Sequence, residues 1–189
     1  MEEKIVYDGF VKVKEVPVKI KERDTVYNEI CVLDAVAAVL YDETGRIGLV
    51  SQYRPLAKVR TKEIVGETLD KPNLTPRETL IEGLLEEAGI SEDMIIFCSN
   101  EPIFEYHMMI GCSNAKILIY EVKVTEQEDK KVDDTQVDFV EWVSLDEFKA
   151  FIDSNEIKDS KTLLAYYYLL NKKDEIGLGD PDNDPDIFA

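Results

Sequence analysis

Residues 75–89 constrain the fold more than any other stretch, because they carry the signals for both ends of a helix. Thr75 can cap the N-terminus, Pro76 suits the first helical position, and Glu78 completes a capping box. Gly89 stands where a glycine in the left-handed conformation ends a helix. Apolar residues recur at intervals of four along the same stretch and predict one buried face: Leu80, Leu84 and Ala88.

Strand-like patterns precede this helix. Alternating apolar and charged residues in the first thirty positions predict two strands, joined by a charged turn at 21–24. The nearly all-apolar segment 30–41 predicts one buried strand. A turn at 42–45 then returns the chain into a strand over 47–51.

Further elements follow the helix. Strand-like segments lie at 95–104, 115–125 and 139–143, and helical patterns lie at 145–155 and 159–171. From residue 174 the chain is acidic, with interspersed glycine and proline, so we expect 174–189 to form a flexible acidic tail. The pattern as a whole predicts a single domain over 1–173, with N-terminal strands over 1–30.

The charge balance limits the partners of the chain. There are 40 Asp and Glu residues against 22 Lys and Arg, and the net charge is −18. This argues against nucleic acid and anionic membranes as general partners, but it permits a small anionic ligand that meets local arginines or bound cations. No apolar run reaches the length of a bilayer span, and the charged start leads into no signal-type stretch. We therefore expect a cytoplasmic location.

Histidine and cysteine usage excludes several kinds of site. His107 is the only histidine, so a His-based metal site or a Ser-His-Asp triad would rest on one residue, and we discount both. The three cysteines form no CxxC pair. We expect Cys31, Cys98 and Cys112 to be buried or half-buried free thiols.

The segment 63–90 carries the residues that point to chemistry. It resembles the Nudix box, Gx5Ex7REUxEExGU, in which U is a bulky aliphatic residue. The end of the helix matches the box at Leu84, Glu86, Glu87, Gly89 and Ile90. The departures are Glu67 for the first glycine, Leu74 for the upstream glutamate, Glu82 for the arginine and Gly83 for the first helical glutamate. The loop is also about one residue longer than the pattern.

Several short matches outside the box occur in the order found in ADP-ribose pyrophosphatases. Residues 52–55 resemble their QYRP motif, and residues 63–66 resemble their ExPAG motif. Three later segments resemble the PGxS loop, the last strand and the DxKT opening of the closing helix: 111–114, 139–145 and 159–163. On these residues the chain is identified as a member of the Nudix superfamily, of the ADP-ribose pyrophosphatase type.

The resemblance implies a fold and an assembly. The fold is α/β, a Nudix α/β/α sandwich with a mixed sheet, to which N-terminal antiparallel strands are added. Such strands often pair two subunits in this family, so a homodimer is also expected.

The resemblance further implies a site for Mg²⁺, which neutralises charge and activates water when a diphosphate is hydrolysed. The resemblance implies Gly66, Glu86 and Glu87 as metal ligands and Glu86, Glu87 and Asp138 as catalytic residues, and helix periodicity adds Glu82 as a candidate metal ligand. In the family pattern the first helical glutamate pairs with the second glutamate of the EE pair. Here that pairing becomes Gly83 with Glu87, so one partner has no side chain. Glu82 aligns with Glu78 and Glu86 instead, either as a displaced metal face or as a solvated acidic stripe.

Ligand contacts are also expected from the resemblance. Arg54 is the candidate phosphate binder, because a guanidinium fork suits paired phosphate oxygens. Phe10 and Tyr27 match positions at which related pyrophosphatases sandwich adenine. The remaining candidate ligand-binding residues are Glu63, Gly111, Ser113 and Asn114.

Three hypotheses remain open at this stage. The first is a protein that binds an ADP-ribose-like nucleoside diphosphate derivative, with metal-dependent hydrolysis weakened or lost. The second is an active Mg²⁺-dependent hydrolase with re-sited carboxylates, drawn from Glu63, Glu67, Glu78, Glu82, Glu86 and Glu87. The third is a non-catalytic interaction module that uses the acidic surface and the tail.

Overall fold

The structure, a computed structural model, describes residues 2–131 and 137–176. The helices are α1 (Pro76–Ala88), α2 (Leu145–Asp153) and α3 (Ser160–Ile176), and a 3₁₀ turn covers Glu92–Met94. The strands are β1 (Lys4–Asp8), β2 (Lys12–Ile20), β3 (Arg23–Cys31), β4 (Ala35–Asp42), β5 (Ile47–Arg54), β6 (Val59–Glu63), β7 (Gly66–Thr68), β8 (Ile95–Cys98), β9 (Phe104–His107), β10 (Lys116–Val124), β11 (Lys130–Lys131) and β12 (Val137–Val143).

The central sheet is mixed. Its strand order is β11-β12-β5-β4-β10-β8, and β6, β7 and β9 extend it by pairing with β5, β4 and β10. Strands β4 and β10 run parallel, whereas the other pairs in this sheet are antiparallel. The predicted α/β/α sandwich with a mixed sheet is confirmed.

Helices cover both faces of this sheet, which is why β4 is apolar throughout. Successive side chains of a strand point to opposite faces. Val36, Ala38 and Leu40 pack in the core on the α1 side. Their neighbours Ala37, Val39 and Tyr41 pack in the core on the α2 and α3 side. The sheet therefore fixes the position of α1 relative to α3.

The predicted boundaries of α1 are confirmed. The Thr75 hydroxyl accepts a hydrogen bond from the Glu78 backbone N–H, and the Glu78 side chain accepts one from the Thr75 backbone. Gly89 ends the helix with φ 59°, a left-handed conformation that glycine adopts without steric cost. Local hydrogen bonds alone are enough to place both ends.

Several predicted boundaries were wrong. The segment 95–104 is divided between β8 and the start of β9, and the first thirty residues hold three strands rather than two. The apolar segment 30–41 is not one strand, because β3 ends at Cys31 and β4 begins at Ala35. Between them Asp34 accepts hydrogen bonds from the backbone N–H groups of Lys116 and Leu69, as the chain crosses from one sheet to the other. The last helix continues to Ile176 rather than ending near 171, and it includes the start of the predicted tail, of which 177–189 lie outside the described residues.

The N-terminal strands form a separate antiparallel sheet in the order β1-β2-β3. A backbone hydrogen bond of 2.7 Å from Ile30 N–H to the Cys112 carbonyl ties it to the loop before β10. Large apolar side chains of this sheet and its turns are exposed: Ile5, Val6, Tyr7, Phe10, Ile20, Val26 and Tyr27. Among the described helices, none is both long and apolar enough to cross a membrane.

Candidate functional site

A cavity of about 470 Å³ opens where β5, β6 and β7 meet the start of α3. Its volume is within the usual range for small-molecule sites. The charged side chains that line it come from β5, β6, β7 and the residues at and just before the start of α3: Arg54, Glu63, Glu67, Lys158, Asp159 and Lys161. This concentration of both signs in one concave surface is the strongest candidate for a functional site.

Glu63 is the electrostatic centre of this cavity. Its side chain is only 2% exposed, and its two carboxylate oxygens accept from Arg54 Nε at 2.8 Å and Arg54 Nη2 at 2.5 Å. Lys161 Nζ donates to Oε2 of the same carboxylate at 2.5 Å. A buried carboxylate is therefore bound by two cations, one of them in a bidentate pair.

These contacts change the protonation of Glu63. Burial disfavours its charged form, but the Arg54 hydrogen bonds and the Lys161 charge outweigh burial and hold the pKa below its ordinary value. The hydrogen bond to Glu63 in turn raises the pKa of Arg54, and the charges of Asp159 and Glu87 act in the same direction. Glu63 is thus an anion at neutral pH.

Helix α3 and the residues before it are fixed against β6 by hydrogen bonds. The Thr162 hydroxyl accepts from Ile64 N–H at 2.9 Å, and the Thr61 hydroxyl accepts from Lys158 N–H at 3.0 Å. Lys161 also donates to Asp159 Oδ2 at 2.7 Å. The other oxygen of Asp159 is buried and has no hydrogen-bond partner among the described residues. The residues at and just before the start of α3 therefore add the ion pair of Lys161 with Asp159 to the cavity.

The contact between α1 and β7 explains Gly83. A Cβ at Gly83 would lie 3.0 Å from Glu67 Cβ, 3.5 Å from its Cγ and 3.6 Å from its Oε2. Position 83 is buried, and the Glu67 side chain fills the space beside it. Gly66 is similarly enclosed, because its Cβ would meet the Val36 carbonyl oxygen at 3.1 Å. A side chain at position 83 would crowd the Glu67 side chain, so the glutamate in β7 requires a glycine in α1.

The predicted glutamates of α1 point in two directions. Glu87 is half-buried, and its Oε2 lies 3.5 Å from the Gly66 backbone N. Glu82 accepts from Lys71 Nζ at 2.6 Å, and Glu86 lies 3.8 Å from the same ammonium. The side chains of Glu82 and Glu86 are 45% and 60% exposed, and none of the three glutamates lines the cavity, although Gly66 beside Glu87 does. The structure therefore places Glu87 beside the site, and it places Glu82 and Glu86 on an exposed ion-paired stripe.

The remaining predicted residues are not among those that line the cavity. Ser113 is buried and accepts from Ala115 N–H at 3.2 Å, while Asn114 lines a shallow second depression with Asp34 and Lys116. Gly111 is in the preceding turn. Phe10 is fully exposed and Tyr27 is 48% exposed on the N-terminal sheet. None of these residues lines the main cavity, and the side chain of Asp138 lies outside what the structure describes.

The sequence did not indicate the partners of Glu63. Lys161 and Asp159 were noted only as the opening of a helix, although this opening carries two of the charges in the cavity. Similarly, the contact of Glu67 with Gly83 joins residues on different elements. The sequence did carry one signal for this contact. Glu67 stands where the box has a glycine, and Gly83 stands where it has a glutamate.

The fold and this site define a class of protein. The family model of the NUDIX domain matches residues 33–182, and the chain belongs to the Nudix family. It is 29% identical over 138 residues to the methanol dehydrogenase activator of Bacillus methanolicus, with 71% of each chain covered. It also resembles the crystal structure of an ADP compounds hydrolase, with a TM-score of 0.75, 14% identity and 95% of each chain covered, which shows a shared fold.

Nudix hydrolases generally use divalent metals such as Mg²⁺, which need oxygen donors close to the cavity. Within residues 2–131 and 137–176, no three Asp, Glu, His or Cys side chains lie close enough together to hold a metal. Glu67 and Glu87 nevertheless flank Gly66 at the edge of the cavity. Mg²⁺ is commonly held by one or two carboxylates together with phosphate oxygens and water. The donor set therefore fits one ion that is coordinated by Glu67, Glu87 and the oxygens of a bound phosphate.

Proposed function

We propose that this protein binds an ADP-ribose-like nucleoside diphosphate derivative in the cavity, with metal-dependent hydrolysis weakened or lost. The observation that carries this proposal is the orientation of Arg54. Its Nε and Nη2 edge is fixed by buried Glu63, yet its side chain remains 44% exposed. A guanidinium has a second donor edge, so an arginine held in this way is prepared to receive phosphate oxygens.

The lining of the cavity carries three positive and three negative side chains, so the cavity lacks the strong excess of acids that gives the chain its net charge of −18, and it can accept an anionic ligand. Lys161 from α3 and Lys158 from the residues before it line the cavity together with Arg54 from β5. Apolar side chains such as Val59, Met108 and Ile117 complete the lining. Cations beside an apolar wall suit a ligand that combines a diphosphate with sugar or base.

The positions of the carboxylates support weakened hydrolysis. Glu82 and Glu86 are paired with Lys71 at the surface, and position 83 has no side chain. Two Mg²⁺ ions close together need more carboxylate oxygens than Glu67 and Glu87 supply. The proposed cofactor is accordingly Mg²⁺, weakly bound.

Thermal unfolding with a panel of ligands tests this proposal. ADP-ribose at 100 times its dissociation constant stabilises the protein by about 2.7 kcal/mol, which raises the melting temperature measurably. Adenosine at the same concentration is the control, because it lacks the diphosphate. If no adenine nucleotide shifts the melting temperature at millimolar concentration, the proposal fails. In a parallel assay, fast Mg²⁺-dependent release of AMP by the unmodified protein would instead establish an active hydrolase.

The exposed N-terminal sheet supports a homodimer as part of this proposal. Apolar side chains lie on both faces of the sheet, and a second copy is the partner that the family resemblance implies. Phe10 and Tyr27 lie on this sheet and its turn rather than in the cavity of their own chain. In a dimer they would be available to the cavity of the other subunit.

A second candidate function is action on a partner enzyme. It rests on the resemblance to a protein named methanol dehydrogenase activator, together with the exposed apolar surface of the N-terminal sheet. The test is the rate of methanol oxidation by a purified methanol dehydrogenase, measured with and without this protein. An unchanged rate at equimolar and tenfold excess of this protein removes the candidate.

A further inference from the structure

We propose that Glu67 replaces the carboxylate missing from position 83, so that Glu67 and Glu87 together hold one divalent cation. This cation binds tightly only when the ligand supplies further oxygens. The inference rests on the proposed function, because the diphosphate of the bound nucleotide is the source of those oxygens.

The first support is the space that each side chain occupies. In the box a glutamate extends from the helix at position 83 and a glycine lies on the strand at position 67, whereas this chain has the reverse. Glu67 Oε2 lies 3.6 Å from the place where the Cβ of residue 83 would be. The carboxylate therefore occupies the region that a helical glutamate would enter, although it is supplied from β7.

The second support is the position of Glu87. Residues four apart on a helix lie on the same face, so Glu87 and Gly83 both face β7. Glu87 Oε2 lies 3.5 Å from Gly66 N, the residue next to Glu67. Both carboxylates therefore lie along the seam between α1 and β7. Glu67 lines the cavity that contains Arg54, and Glu87 lies beside Gly66, which also lines it.

Coordination chemistry then explains why the ion depends on the ligand. Mg²⁺ and Mn²⁺ prefer about six oxygen donors, and proteins often provide only one or two carboxylates beside substrate phosphates. The described residues contain no cluster of three metal-binding side chains, so the protein alone holds the ion weakly. The two binding events must then favour each other by the same factor.

Mn²⁺ titration followed by electron paramagnetic resonance tests this directly, since only the free ion gives the full signal. The ligand is a methylene analogue of ADP-ribose, whose bridging carbon prevents cleavage. We expect the analogue to tighten Mn²⁺ binding at least tenfold in the unmodified protein. Glu67→Gln and Glu87→Gln should each abolish that tightening, and Glu82→Gln should retain it.

A variant that moves the carboxylate back to the helix sharpens the test. Glu67→Gly alone should lose the tightening, and Glu67→Gly combined with Gly83→Glu should recover most of it, because the carboxylate then enters the same space from α1. Circular dichroism confirms that each variant is folded, and Glu67→Gln provides the same loss without a change of backbone freedom.

The outcomes separate this inference from the proposed function. If the analogue fails to stabilise the protein in EDTA and with Mn²⁺, the proposed function fails and this inference fails with it. If the analogue binds but Mn²⁺ affinity is independent of it, or unaffected by Glu67→Gln, only this inference is overturned. Loss of the tightening in Glu82→Gln would overturn it in favour of the exposed stripe.

Discussion

Arg54 donates from Nε to the Glu63 carboxylate at 2.8 Å, and the two side chains differ sharply in exposure, at 44% for the arginine and 2% for the glutamate. The glutamate fixes the arginine, and Lys161 supplies the second positive charge that makes burial of the carboxylate tolerable. The electrostatics of the cavity depend on this arrangement.

The first prediction concerns the guanidinium. Arg54→Lys keeps the charge but loses the fork, so we expect the dissociation constant for ADP-ribose to rise at least tenfold, measured by calorimetry. Arg54→Ala would also remove a partner of buried Glu63, and it should lower stability besides abolishing binding. Arg23→Lys, at an exposed position in the N-terminal hairpin, is the matched control. Unchanged affinity in Arg54→Lys would show that the fork does not contact the ligand.

The second prediction concerns pH. Because the pKa of Glu63 is below its ordinary value of 4.5, ionised Glu63 stabilises the fold above about pH 4.5, and this contribution is lost as the pH falls below that value. Glu63→Gln should lower the free energy of unfolding at pH 7 by about 2–3 kcal/mol, below the range for fully buried pairs because Arg54 is half-exposed.

The measurement is urea unfolding of both proteins between pH 3 and pH 7. The difference between them should narrow as the pH decreases, since protonated Glu63 and the glutamine that replaces it are both neutral. A difference that stays constant over this range would contradict the assignment of the lowered pKa to Glu63. Asp42, whose pKa is also lowered, remains in both proteins and cancels.

The third prediction concerns the packing of Gly83. Alanine ordinarily stabilises a helix interior by about 1 kcal/mol relative to glycine. Here the added Cβ would lie 3.0 Å from Glu67 Cβ, so Gly83→Ala should destabilise the protein by about 1 kcal/mol. In a Glu67→Gly background the same substitution should be stabilising, because the obstruction is gone. Equal effects in the two backgrounds, measured by thermal unfolding, would mean that the two residues are not coupled.

The fourth prediction concerns the assembly. Sedimentation equilibrium should give a molar mass twice the 21.6 kDa of the chain. Ile5→Glu and Val26→Glu introduce charge at exposed apolar positions of β1 and β3, on opposite faces of the N-terminal sheet. At least one of them should give a monomer with unchanged circular dichroism. A dimer that persists in both variants would exclude this sheet as the interface.

Most of the fold could be predicted because its signals are local. The ends of α1 depend on a capping box and one glycine, all within the helix and its flanking residues. Free cysteines were also expected, and Cys31, Cys98 and Cys112 form no disulfide. The error at 30–41 arose because apolar residues on both sides of Asp34 hide a change of sheet, and that change depends on hydrogen bonds to the distant Lys116 and Leu69.

The sequence by itself determined the family and the order of the elements, and it predicted a role for Arg54, because these depend on motifs and on periodicity along the chain. Only the tertiary structure decided where the carboxylates lie relative to the cavity. Glu82 and Glu86 lie on the exposed face of α1 beside Lys71, and Glu67 lies against Gly83 because β7 packs against α1. Such contacts join residues from different elements, and their geometry follows from how a sheet and a helix pack rather than from the spacing of letters in a motif.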